Sequence, residues 1–152
     1  MDALNLPEID LRLRRMGQGV QVWDGLRGKY VALTPEEWVR QHFVSFLQQS
    51  KGCPAALMAN EVSLRLNGMQ RRCDTVVYDR QLRPRAIVEY KRPSVKLGPE
   101  VFQQISRYNM VMRVDYLIVS NGLEHFCCRM DYASGTYAFL PEIPDYTTLT
   151  QA

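Results

Sequence analysis

Residues 71–91, RRCDTVVYDRQLRPRAIVEYK, constrain this chain more than any other segment. They read as two short apolar strands joined by a polar turn. Asp74 stands at the start of the first strand, and Glu89 and Lys91 close the second. Side chains alternate faces along a strand, so Ile87, Glu89 and Lys91 share one face while Ala86, Val88 and Tyr90 take the other. A strand this apolar on both faces is expected to be covered on both sides. Charged groups at the end of such a strand are costly to desolvate unless they pair or hold a metal. The conflict between a buried strand and its charged end marks a candidate site.

The chain has 152 residues, the size of one domain, with 46% apolar and 23% charged residues and a net charge of +3. A mildly basic balance permits a nucleic-acid partner without demanding one. The four cysteines, Cys53, Cys73, Cys127 and Cys128, form no C-x-x-C pair, and only His42 and His125 are available beside them. That pattern argues against a zinc site and for free buried thiols in a reducing cytoplasm. No apolar run has the length of a signal peptide or a membrane span, so a cytoplasmic protein without a membrane partner is expected.

The order of elements follows from periodicity and breakers. Residues 9–33 alternate in short pieces, LRLRRM, VQVWD and KYVAL, separated by glycine turns, which predicts an antiparallel meander with a basic cast. Thr34-Pro35-Glu36-Glu37 is a helix start, with Thr34 as cap and Glu37 completing a capping box. Trp38, Val39, His42, Phe43, Phe46 and Leu47 form the apolar stripe of a helix that runs to about Gln49. Three strands follow, over 58–66, 70–78 and 85–91, the first two joined at Asn67-Gly68. A second helix over 98–112, a fully apolar strand over 115–120, and a terminal pair over 124–130 and 136–140 complete the fold. The tail after Pro141 reads as coil. The expected architecture is α+β, a sandwich with a central mixed sheet flanked by helices and preceded by the meander. It is treated as one unit over 1–152, with a meander at 9–33, an αβββαβ core at 34–120 and a hairpin at 123–140.

The chemistry centres on Asp74, Glu89 and Lys91. An antiparallel register brings Asp74 beside Glu89, and two carboxylates held together favour a hard cation. Mg²⁺ or Mn²⁺ takes one or two protein carboxylates and completes its shell with water and substrate phosphate. Lys91, on the face of Glu89, is placed to stabilise charge in a transition state. On the second helix, Val101, Gln104, Ile105, Tyr108 and Met112 share one face, and Gln104 is the amide in that stripe. A buried amide needs partners, which the carboxylates or a DNA phosphate would supply.

Asp74, a fourteen-residue gap, Glu89, one residue and Lys91, between two helices, resemble the motif of the PD-(D/E)XK nuclease superfamily. Cys73 stands where the name-giving motif has proline. Gln104 and Tyr108 resemble the Q-x-x-x-Y of the RecB-like branch. KYVALTPEEWVRQ and VEYKRP are similar to the N-terminal endonuclease domain of type I restriction enzyme R (HsdR-like) proteins. The resemblance implies a restriction-endonuclease-like fold and Mg²⁺-dependent DNA cleavage. It also implies Asp74 and Glu89 as metal ligands, Lys91 as catalytic lysine, Gln104 and Tyr108 at the site, and other restriction-modification subunits as partners. In R subunits such a domain precedes a helicase motor. No G-x-x-x-x-G-K-[ST] loop occurs here, so ATP-driven translocation is not expected of this chain.

Each reading has a plainer counterpart. An E-x-K triplet also occurs as a surface ion pair, worth roughly 0–1 kcal/mol. Glu37 is either a further carboxylate near the metal or only the capping-box residue. Arg71, Arg72, Arg92 and Lys96 either track DNA phosphates or form a solvated edge. The whole domain is either an endonuclease or a catalytically silent module that binds nucleic acid or a partner subunit.

Overall fold

The structure, a computed structural model, describes residues 1–66 and 68–151, and for Leu66, Tyr108 and Val111 the backbone alone. The Asn67 half of the expected Asn67-Gly68 turn lies outside the described residues. The chain forms two sheets. The first is the meander: β1 (Leu13–Met16), β2 (Gly19–Asp24) and β3 (Lys29–Ala32), antiparallel and in that order. The second has six strands in sequence order: β4 (Met58–Leu66), β5 (Met69–Tyr78), β6 (Pro84–Tyr90), β7 (Tyr116–Ser120), β8 (His125–Asp131) and β9 (Thr136–Leu140). Only β6 and β7 run parallel, so the sheet is mixed.

Helix α1 (Pro35–Gln49) starts where the sequence signals it. The Glu37 N–H donates to Thr34 Oγ1 at 3.1 Å, and Pro35 takes the first turn. Its buried stripe, Val39, Phe43 and Leu47, packs on Val77, Ala86, Val88, Tyr90 and Ile118. Helix α2 (Pro99–Met112) joins β6 to β7 and covers the other face. There Phe102 and Ile105 meet Leu117 and Val119, and Met112 meets Val76 and Ile87. β6 is therefore sandwiched between two helices. That explains its apolar run on both faces and the burial of Ala86, Ile87 and Val88.

The tail after Pro141 is not all coil. Helix α3 (Tyr146–Leu149) is capped by Asp145, whose Oδ1 accepts from the Thr148 N–H at 2.9 Å. Tyr146 donates its hydroxyl to the Tyr78 carbonyl at 2.9 Å, and Leu149 is fully buried. One turn is too short to show a helical period, so burial rather than pattern fixes this element. Among the described residues no helix is long and apolar enough to cross a membrane.

The α1–β6 contact is the test of this packing. Phe43→Ala is expected to cost about 3–5 kcal/mol, read as a lower urea midpoint at unchanged m. A loss under about 1 kcal/mol would mean that this face collapses around the cavity.

Candidate functional site

The site forms where β5 and β6 diverge. Thr75 pairs with Val88, and Asp74 and Glu89 are the next residues outward in that register. Asp74 is held at both ends. Its Oδ2 accepts from the Tyr90 N–H at 2.8 Å, and its main-chain carbonyl accepts from Arg40 Nη1 at 2.8 Å. Glu89 is half-buried beside it. Burial pushes its carboxyl up to about 8, the charge of Asp74 adds to the rise, and the Arg71 guanidinium pulls against it. At neutral pH Glu89 therefore keeps its proton. Arg71 Nη2 sits 2.5 Å from Glu89 Oε1, with both side chains only 13% exposed. Arg71 is thus a counter-ion of the site rather than an open phosphate contact. Lys91 is half-buried just past β6, and its N–H donates to the Ser120 carbonyl at 2.9 Å.

The other expected site residues are distributed differently. Gln104 is exposed on α2, not buried in the stripe, so it has no need of buried partners. The helix turns its Phe102, Ile105 and Ser106 side inward instead. The Tyr108 side chain lies outside the described residues. Arg72 is 66% exposed and pairs with Glu61 at 2.9 Å. Arg92 and Lys96 are exposed beyond the end of β6.

Glu37 makes only half of its capping box. Its N–H meets Thr34, but its carboxylate accepts from Arg27 Nη2 at 2.6 Å, Arg40 Nη2 at 2.9 Å and Gln41 Nε2 at 2.9 Å. Burial works against that charge, but the Arg40, Gln41 and Arg27 donors outweigh it and hold Glu37 below the ordinary carboxylate range.

Two further residues complete the surroundings. Glu61 lies in β4 with φ 56°, a left-handed conformation unusual for glutamate, and the β4–β5 ladder skips Glu61 and Asp74. The facing of both strands changes there. Met58 and Val77 pack under α1, whereas Val62, Leu64 and Cys73 pack with the α2-side cluster. A kink of this kind re-aims side chains, and it sits at the candidate site. Arg40 is the second residue. It is buried and bonds Glu37, Glu61 at 2.7 Å and the Asp74 carbonyl. The kinked edge, Arg40 and the start of α1 enclose a cleft of about 170 Å³ lined by Thr34, Glu36, Arg40, Glu61, Asp74 and Tyr90. Behind it, Asn60 donates to buried Asp24 and accepts from Thr75 at 2.6 Å. One signal of this region stands in the sequence: Asn60 interrupts the apolar alternation of β4, directly before Glu61.

Among the described residues no group of three or more His, Cys, Asp or Glu side chains gathers to hold a metal. The protein offers two hard carboxylates, which is the donor set Mg²⁺ takes when water and phosphate complete its shell.

The fold has a solved counterpart. The fragment structure of a putative HsdR subunit of a type I restriction enzyme from Vibrio vulnificus YJ016 superposes with a TM-score of 0.55 at 21% identity, covering 77% of this chain and 24% of that one. This chain thus spans about a quarter of that protein. The family model described as type I restriction enzyme R protein N terminus matches residues 35–144, from the start of α1 to just before α3. The chain belongs to this family. No curated protein matches it.

Two outcomes test the electrostatics. Glu89 is raised in the fold, so its contribution to stability is complete below about pH 4.5 and is lost as pH rises through about 8. Over that window the stability of the wild type should fall relative to Glu89→Gln, by at most roughly 1.4 kcal/mol per pH unit in urea titrations without metal. A pH-independent difference would show that the carboxyl ionises normally. Arg40→Met removes the buried guanidinium from Glu37 and Glu61, leaving Glu37 to Arg27 and Gln41 and Glu61 to Arg72, and is expected to cost about 3–5 kcal/mol. By contrast, Arg72→Met at the exposed end of the same network should cost about 0–1 kcal/mol. Equal losses would place the network at the surface.

Proposed function

We propose that this chain is a Mg²⁺-dependent nuclease domain of the PD-(D/E)XK type. It hydrolyses phosphodiester bonds in DNA and works beside other subunits of a restriction-modification system. The observation that carries this reading is Asp74 beside Glu89, with Lys91 two residues further on and Asp74 lining the cleft. Family membership and the fold support it.

Asp74 and Glu89 are the residues that would hold Mg²⁺ or Mn²⁺. When bound, the ion polarises a phosphoryl oxygen and lowers the pKa of its water. The chain supplies the rest. The Tyr90 N–H and Arg40 fix the orientation of Asp74, so little reorganisation is needed on loading. Glu89 must give up its proton to become a ligand, which makes metal affinity rise with pH up to about 8. Lys91 brings an ammonium to the phosphate as negative charge develops on it. Exposed Arg72, Arg92 and Lys96 border the site and engage neighbouring phosphates. Gln104, exposed on α2, is available to DNA rather than to the core, and Tyr108 one turn on belongs to the same motif.

A second reading rests on Arg71. Its guanidinium lies 2.5 Å from Glu89, where it neutralises the carboxylate a metal would use. A domain that keeps this pair closed is a catalytically silent module for binding nucleic acid or a subunit.

Supercoiled plasmid with Mg²⁺ or Mn²⁺ separates the two. The first reading expects nicking by the wild type and a loss of about 100-fold or more in Asp74→Ala and in Lys91→Ala. It also expects Mn²⁺ to raise the melting temperature, more at pH 8 than at pH 6, and not in Asp74→Ala. Equal nicking by all three proteins would remove these residues from the chemistry. DNA binding with neither nicking nor a metal-induced shift would establish the silent module.

A further inference from the structure

The outer face of the β1–β3 sheet carries features the site does not use. Residues 9–33 hold five basic side chains, Arg12, Arg14, Arg15, Arg27 and Lys29, against Asp10 and Asp24, a net charge of +3. That equals the net charge of the whole chain, so the remainder is neutral. Arg27 is spent internally on Asp24 and Glu37. The other four basic residues are exposed, and among the described residues none is in a salt bridge.

The strand register sorts this sheet into two faces. Arg14 pairs with Gln21, Trp23 pairs with Tyr30, and Arg12 bonds the Trp23 backbone, so these five lie on one face. The opposite register carries Val22 and Asp24, both buried against the body of the protein. On the outer face the Arg14 guanidinium lies 3.9 Å from the Tyr30 ring centre, and Arg12 lies 4.9 Å from that of Trp23. Arg14 Nε also donates to Gln21 Oε1 at 2.9 Å. Stacked guanidiniums are held in plane with their remaining N–H donors open at the edges, and among the described residues no carboxylate pairs with them. Such forks are pre-organised for the oxygens of phosphate. β3 runs through Leu33 into Thr34, which lines the cleft beside Asp74, so the three-stranded sheet is joined to the candidate site.

We propose that the outer face of β1–β3 binds the phosphate backbone of DNA, with Arg12 and Arg14 as its principal contacts. This deepens the nuclease reading and rests on it for the identity of the polyanion. Fluorescence anisotropy with a labelled 30-base-pair duplex and a 30-nucleotide single strand, without metal and across a salt series, tests it.

Wild type is compared with Arg12→Ala/Arg14→Ala, and with Arg14→Glu. The expected result is about a tenfold or greater loss in the double variant, with a log–log salt slope shallower by roughly one per arginine. Arg14→Glu should lose more than its share of the double variant. All three proteins should share a circular-dichroism spectrum, since both side chains are exposed. Loss in either DNA arm supports the surface, and the arm with the greater loss names the form of DNA it takes.

Wild-type affinity and slope in both variants would overturn this surface while leaving the nuclease reading intact. Failure of the wild type to bind either DNA would overturn this surface, while the nuclease reading is decided separately by nicking with Mg²⁺ or Mn²⁺. A loss of affinity without a change in salt slope would overturn the phosphate assignment.

Discussion

A carboxylate at the end of a buried strand has to be compensated, and most of the charged architecture follows from that need. β6 is central because both of its faces are covered by helices, and it ends in Glu89 beside Asp74. Isolated, two half-buried carboxylates would be expensive. The protein answers with a proton on Glu89, with Arg71 against it, and with donors on both ends of Asp74. Each of these fixes geometry as well as charge. The Tyr90 N–H that bonds Asp74 stands just past the last ladder pair of β5 and β6, so the side chain replaces a backbone acceptor where the strands part.

Arg40 extends that compensation into the fold. Through Glu37 it joins α1 to Arg27 and the three-stranded sheet, through Glu61 it reaches β4, and through the Asp74 carbonyl it reaches β5. A buried guanidinium with three separate acceptors is costly to misplace, because moving it would leave its own charge buried and short of partners and would weaken the pairing of Glu37 and Glu61. The start of α1 and the kinked edge of the large sheet are therefore positioned by one side chain. The left-handed Glu61 fits this account: its carboxylate bridges buried Arg40 to exposed Arg72, which requires the strand to turn there.

Much of this could be read from residue types and spacing, and the limits have physical causes. Thr34-Pro35 and the Gly98-Pro99 step mark helix starts because capping chemistry is local. The apolar run of β6 reports a strand covered on both faces because burial acts on every residue of it. Asp74 and Glu89 meet because an antiparallel register is set by the strands between them. Alternation fails where a backbone angle changes sign, so the shift of facing at Glu61 and Asp74 was not legible. A helical stripe assigns Gln104 to the core face, but a helix with Phe102, Ile105 and Met112 to bury rotates to favour them and leaves the amide in solvent. Arg40 was open to either a structural role or one holding the active-site strands, and its full reach was not legible because Arg27, Glu61 and Asp74 stand far from it in sequence. α3 was missed because four residues carry no period.

On the nuclease reading, Arg71 and a divalent cation would be rivals for the same oxygen. Arg71 satisfies Glu89 through one short contact, whereas the pull of Asp74 on the Glu89 proton remains. A single guanidinium therefore leaves the pair one charge short of full compensation, and the proton makes up the difference. On the nuclease reading, a cation of charge two would stand in for both, provided Arg71 had somewhere to go. A DNA phosphate would give it that place, because a phosphate oxygen is as good an acceptor for a guanidinium as a carboxylate. Metal, phosphate and Arg71 would then be coupled by charge alone: whichever of the first two arrived would lower the cost of the other.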